Sequence, residues 1–234
     1  MMKLLAALLL TGKLGKVLLT GGTMLVSVLF YAMDYGWKYA VGFVLLIFIH
    51  EMGHFIAARN CGLEVGAPVF IPFVGAWVSL KTVDLDPETE AYVGLAGPVL
   101  GTLAAFACWL VAEQSGERLW LALAYSGFFL NLFNLIPLRP LDGGRVVRAV
   151  SSRLWLLGLP ILAALFLWQP SPLILIIGVL ALPEVWSSFR GRADDHASIV
   201  EPSTRWKYGA TYLGLTGALA VLAFRTHERL SAGL

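Results

Sequence analysis

The sequence predicts a polytopic α-helical membrane protein, and three observations carry that prediction. Apolar stretches long enough to cross a bilayer, about seven of them, recur along the chain. Charged residues make up 14% of the 234 positions and hydrophobic residues 58%, with a mean hydropathy of +0.77, whereas soluble domains carry about 25% charged residues. Lys and Arg are unevenly shared between the segments that join the stretches.

Apolar runs of about 15 to 23 residues can cross about 30 Å of hydrocarbon, with tilt or local thinning taking up the mismatch. Spans are therefore expected near 17–35, 37–58, 92–112, 119–138, 154–168, 172–186 and 208–224. The fifth and sixth are short and joined by "QPSP", so they read as two spans or as one re-entrant pair, and six or seven transmembrane helices are expected. The start, "MMKLLAALLLTGKLGKVLL", reads as an interfacial lead-in to the first span. Its apolar run is short, and Lys13 and Lys16 interrupt it, which disfavours a cleaved signal.

The segment 60–91, between the second and third spans, is too short for a separate folded domain. Its first part, "LEVGAPVFIPFVGAWVSLKTV", alternates β-prone runs with Gly and Pro and predicts a small membrane-associated β-hairpin or sheet at the membrane face. Its second part, "DLDPETE", reads as a solvated acidic turn with surface carboxylates. The chain 1–234 is expected to form a single domain, with a core at 25–148 and C-terminal helices across 154–225.

With the N-terminus in the cytoplasm, Lys38, Arg118, Arg225 and Arg229 fall outside and the other 13 of the 17 Lys and Arg fall inside. The expected location is the cytoplasmic membrane, multi-pass, with the N-terminus and the opening of the site on the cytoplasmic side. A net charge of +2 and the lack of a basic tract give no reason to expect a nucleic-acid partner. Cys61 and Cys108 lack CxxC spacing and read as buried structural thiols, outside any disulfide framework or thiolate zinc site.

Against that background "FIHEMGHF", residues 48–55, is anomalous. Ionisable groups at membrane depth cost several kcal/mol (about 3 on insertion scales) and mark function. His50 and His54 lie one helical turn apart on one face, a spacing that suits two nitrogen ligands of one tetrahedral Zn2+ ion. Glu51 can project beside the metal and act as general base on its water. A catalytic zinc site takes three protein ligands and keeps one position open. His196 and His227 lie in polar segments that do not place them to help. In "NLFNLIPLRPLDGGRVVR", Asp142 alone would read as a cap or turn residue, but paired with the HEMGH motif it reads as the third ligand. Pro137 and Pro140 break the fourth span before it, and Gly143 and Gly144 allow close backbone approach. Asn131 and Asn134 share one face of that span. Interhelical hydrogen bonding is the favoured reading of Asn131, while for Asn134 it stands level with a donor to a substrate carbonyl or oxyanion.

These two stretches together resemble the site-2 protease family of intramembrane zinc metalloproteases. The first motif appears as His50-Glu51-Met52-Gly53-His54, the second as Asn134-Leu135-Ile136-Pro137 followed by Leu141-Asp142-Gly143. "GLAGPVLG", residues 94–101, resembles the glycine-proline element that opens the family's next span. The likeness covers about 25–148. It implies one zinc ion per chain, held by His50, His54 and Asp142, with Glu51 activating water as the catalytic base. It also implies regulated intramembrane proteolysis: hydrolysis of peptide bonds within or near the transmembrane segments of single-span membrane proteins, such as a membrane-tethered regulator, often already trimmed by another protease. A strand edge at 70–81, around Val78 and Ser79, would pair with extended substrate backbone.

Two departures bear on how substrate is held. Gly101 stands where many members have asparagine, and Arg139 interrupts the usual proline-rich run before Leu141. The expected form is minimal, without a PDZ domain or a C-terminal regulatory domain. The alternatives are a membrane zinc or proton transporter, against which the outer halves of the spans are almost bare of ionisable groups, and a catalytically silent scaffold, against which Glu51 is intact.

Overall fold

The computed structural model describes residues 13–66, 69–71, 75–77, 85–189 and 199–232. The expected lead-in at residues 1–12, His196, Val78, Ser79 and Lys81 lie outside them. Helices α1 (Lys13–Tyr35) and α2 (Trp37–Asn60) meet at Gly36, whose φ of +80° is a left-handed conformation that glycine adopts without steric cost. This turn folds α2 back on α1, where Tyr31 packs with Ala40, Val44 and Ile47 and meets Phe43 edge to face at 5.2 Å. A Schellman motif closes α2: the Gly62 amide donates to Arg59 O and the Leu63 amide to Ala58 O, both at 3.0 Å, with Gly62 at φ +75°.

Two three-residue strands follow, β1 (Val69–Ile71) and β2 (Gly75–Trp77), paired antiparallel with Val69 opposite Trp77. Phe70 is buried, its amide donates to Thr23 Oγ1 at 3.1 Å, and its ring lies 6.3 Å from that of Phe48. The strand pair therefore rests against the midsection of the α1–α2 hairpin.

Helix α3 (Pro87–Ser115) begins as its sequence dictates. The Asp86 side chain accepts from the Thr89 amide at 2.9 Å, Pro87 occupies the first turn, and Glu88 and Glu90 face the positive end of the helix dipole. The acidic turn is thus not simply solvated. Asp86 is the helix cap, and Glu90 is buried between two arginines. Burial patterning missed it because the partners, Arg139 and Arg148, come some fifty residues later in the chain.

Gly116, at φ +69°, turns α3 into α4 (Arg118–Asn134). The fourth helix stops at Asn134, before the prolines, and the chain runs irregularly to α5 (Asp142–Val150). The carbonyl freed at Leu135 accepts from Tyr212 Oη at 2.6 Å, and Trp155 Nε1 donates to Gly144 O at 3.0 Å. A short 3-10 turn, Ser152–Leu154, leads to α6 (Trp155–Trp168), α7 (Pro172–Phe189) and α8 (Pro202–Ser231). The last helix exceeds its apolar run because its polar end is held. Arg229 pairs with Glu113 on α3, and Arg118 Nη2 donates to Leu230 O at 3.0 Å.

The main core joins Leu95 and Ala105 of α3, Ala124 and Phe128 of α4, Val146 and Val147 of α5, and Tyr212 and Leu219 of α8. A second cluster packs α6 and α7 on Ile136, Leu138 and Leu141 of the irregular segment. Small residues set the spacing, as is usual in lipid, where close contact replaces hydrophobic drive. A Cβ on Gly127 would come within 2.7 Å of Ala105 Cβ. Among the described residues, α1 (from Leu18), α2 and α3 are long and apolar enough to cross a membrane, and α6 and α7 are shorter apolar helices. The chain is a multi-pass membrane protein whose outward faces carry residues such as Leu25, Met33 and Leu103. The cysteines depart from expectation: Cys61 is exposed just past the end of α2, and Cys108 is half-buried at the margin of the main core.

Candidate metal centre

His50 and His54 face the same way from α2, as their spacing requires, and their rings meet at 78° with centroids 4.8 Å apart. The two Nε2 atoms lie 3.1 Å from each other, and Asp142 Oδ2 lies 3.1 Å from each of them. Asp142 arrives from the first turn of α5, so residues about ninety positions apart close a nearly equilateral triangle. All three side chains are buried.

Their outer hydrogen bonds decide what the triangle can hold. Asn131 Nδ2 donates to Gly127 O at 2.7 Å, which assigns the other amide atom as oxygen, and that Oδ1 lies 2.8 Å from His50 Nδ1. The Val93 carbonyl lies 2.7 Å from His54 Nδ1. Both partners only accept, so both Nδ1 atoms carry the ring proton and both Nε2 atoms present lone pairs to the centre. Two lone pairs and a carboxylate oxygen converge there with no proton among them, which calls for a cation. Ligands at about 2.05 Å in tetrahedral arrangement are separated by about 3.3 Å, so the 3.1 Å sides of the triangle fit a zinc-sized ion. His50, His54 and Asp142 form the group among the described residues that could hold one.

One face of α3 forms the floor. Gly94, Gly97 and Gly101 recur at i, i+3 and i+7, the spacing of a single helical face. A Cβ on Gly97 would lie 2.2 Å from His54 Nε2, one on Gly101 2.3 Å from Asn131 Oδ1, and one on Gly94 3.3 Å from Asp142 O. Each glycine thus underlies one ligand or its support. From α2, a Cβ on Gly53 would meet Ala96 O at 2.3 Å. The HEMGH glycine and the GLAGPVLG stripe therefore let two backbones touch.

Glu51 is 8% exposed, within electrostatic reach of His54, His50, Asp142 and Arg145. With His50 it lines a cavity of about 650 Å3 whose other lining residues include Asn134, Tyr39, Ser126, Trp168 and Pro172. Tyr39 Oη and Ser126 Oγ are 2.7 Å apart across the α2–α4 seam. Asn134 donates one amide hydrogen to Leu130 O at 3.1 Å and faces this cavity. It does not touch the triangle. Asn131 does, and the interhelical bond expected of it is made to His50 itself. Sequence reasoning gave no hint of the Val93 carbonyl, since backbone acceptors leave no mark on residue type. His227 stands apart, its ring 5.3 Å from that of Tyr125.

Comparison with known proteins gives this geometry a context. A model of peptidase family M50 matches residues 38–118 and 110–157. A zinc metalloprotease of Methanocaldococcus jannaschii is 31% identical over 123 residues, covering 49% of this chain and 35% of that protein. Stage IV sporulation protein FB of Bacillus subtilis is 28% identical over 113 residues, covering 47% of this chain and 39% of that protein. The chain thus spans between a third and two-fifths of the length of these relatives. A solved site-2 protease from Methanocaldococcus jannaschii aligns at 21% identity with a TM-score of 0.46, over 76% of this chain and 88% of that one.

Proposed function

The chain belongs to peptidase family M50, and from that premise we propose that it is a zinc metalloendopeptidase that hydrolyses peptide bonds within or near the transmembrane segments of single-span membrane proteins. The observation that carries the proposal is the convergence of His50 Nε2, His54 Nε2 and Asp142 Oδ2 at 3.1 Å, with Glu51 and His50 lining a largely apolar cavity beside them. His50, His54 and Asp142 would hold one zinc ion per chain, which would supply Lewis acidity when bound.

The remaining chemistry belongs to side chains. A Glu51 carboxylate oxygen takes a proton from the attacking water as the new carbon–oxygen bond forms, and returns it to the peptide nitrogen as the carbon–nitrogen bond breaks. Asn134 has a second amide hydrogen besides the one given to Leu130 O, and it donates that hydrogen to the oxygen of the scissile carbonyl. Asn131 and Val93 hold the two imidazoles in the tautomer that keeps both Nε2 atoms unprotonated.

The surroundings supply an aqueous cleft and an unwound peptide, both scarce in a bilayer. The cavity is lined by Tyr39, Ser126 and Asn134 as well as apolar side chains, which supports its role as a wet recess for an extended substrate segment. In this reading α1, α2, α3, α4 and α8 cross the membrane, with α6 and α7 as one or two further elements. The N-terminus and the opening of the site face the cytoplasm of the cell membrane.

Reconstitution in vesicles with a labelled single-span protein tests the reading. Zinc-dependent cleavage without metal flux is expected, and metal flux without cleavage would instead identify a transporter.

A further inference from the structure

Glu90 carries an arrangement that the proposed chemistry does not use. Its side chain is buried in the first turn of α3, one turn before the Val93 carbonyl that receives the His54 ring proton. Oε1 accepts from Arg139 Nη2 and Oε2 from Arg148 Nη1. Arg148 Nη1 also reaches Leu85 O at 3.5 Å. The two arginines bracket Asp142, one three residues before it in the irregular segment and the other six residues after it in α5. A single carboxylate therefore ties both flanks of the third ligand to the helix that also supports the second.

The segment between α4 and α5 needs such a tie. It has no regular backbone ladder, only local bonds such as Leu141 N–H to Leu138 O at 2.9 Å. It wraps closely over α5, where a Cβ on Gly144 would lie 2.4 Å from Arg139 N. A shift of Arg139 is thus passed by backbone contact to the turn that bears Asp142. Arg148 is 14% exposed and Arg139 31% exposed, so without Glu90 two poorly solvated cations of like sign would face each other across that turn.

We propose that Glu90 is a positioning residue for the metal centre, holding Asp142 in register with His50 and His54 through Arg139 and Arg148. This rests on the reading that those three residues bind zinc. It requires Glu90→Gln to be more damaging than removal of all three charges, because the triple change also removes the repulsion.

The experiment uses the full chain in lipid nanodiscs. Zinc affinity is measured by chelator competition, and backbone hydrogen exchange is followed in the metal-free protein. Glu90→Gln is expected to weaken zinc binding about tenfold or more, the usual cost of losing an outer-shell support, and to speed exchange of the amides at 138–144 while exchange in α2 stays unchanged. The triple variant Glu90→Gln, Arg139→Gln, Arg148→Gln is expected to recover part of the lost affinity, and Arg148→Lys to stay close to the native protein. Should Glu90→Gln not assemble, Arg139→Gln carries the same test with a smaller loss. Native zinc affinity and exchange in these variants would overturn the proposal. His50→Ala run alongside separates the two ideas: if that change also leaves zinc binding intact, the metal site itself is misassigned.

Discussion

Asn131 Oδ1 lies 2.8 Å from His50 Nδ1, and it can only accept a hydrogen there because the other end of the same carboxamide donates to Gly127 O. This bond joins α4 to α2 at the centre of the bundle and fixes which nitrogen of His50 is free. Asn131→Leu keeps the volume and removes the acceptor. We expect zinc affinity to fall by about 10- to 100-fold, read by chelator competition, with helical content by circular dichroism unchanged.

The glycines facing the site separate two kinds of damage. In Gly97→Ala the new methyl would sit 2.2 Å from His54 Nε2, an atom that cannot swing away without breaking the bond to Val93 O. That variant should fold and fail to bind zinc. In Gly53→Ala the obstacle is the Ala96 carbonyl at 2.3 Å, so α2 and α3 must part, and a loss of about 1–3 kcal/mol is expected in thermal or denaturant unfolding. Gly217→Ala on α8 meets nothing within 4 Å and should be neutral or slightly stabilising.

The cap of α3 gives a pH-dependent signature outside the membrane. Partial burial opposes ionisation of Asp86, and hydrogen bonds from the Thr89 side chain and from nearby amides outweigh it, holding the carboxyl below its ordinary range. A carboxylate depressed in the folded state stabilises above its unfolded pKa of about 3.9, and that contribution is lost as pH falls through the folded value. Asp86→Ala should therefore cost about 1 kcal/mol near neutrality. The difference from the native protein should shrink in unfolding curves as pH falls through the depressed folded value of the Asp86 carboxyl.

Tyr212 tests the support of the broken segment from the other side. Its hydroxyl donates at 2.6 Å to Leu135 O, a carbonyl just past the end of α4. Tyr212→Phe leaves that acceptor buried and unpaired, for an expected loss of about 1–2 kcal/mol in unfolding and faster hydrogen exchange at 135–138.

Features fixed by local chemistry were legible in the sequence. The i, i+4 histidines and a break in the fourth span at its prolines follow from period and proline, and the structure brings His50, His54 and Asp142 together, whereas α4 ends at Asn134, short of the expected 119–138, and the short helix α5 was not expected. Features fixed by distant partners were not. Glu90 reads as a surface charge until Arg139 and Arg148 are folded against it. Of two asparagines on one helix face, only the fold decides that Asn131 meets His50 while Asn134 looks into the cavity. The glycines of "GLAGPVLG" announce close packing, but which ligand each one underlies is a matter of how α3 crosses α2 and α4.

The most direct test of the account is a paired measurement of bound zinc and single-turnover cleavage of a single-span substrate, made on the native chain and on Glu51→Gln in nanodiscs. The account predicts about one zinc per chain in both proteins and cleavage only in the native one, with a loss of at least about 100-fold in the variant. Cleavage at the native rate by zinc-loaded Glu51→Gln would contradict it.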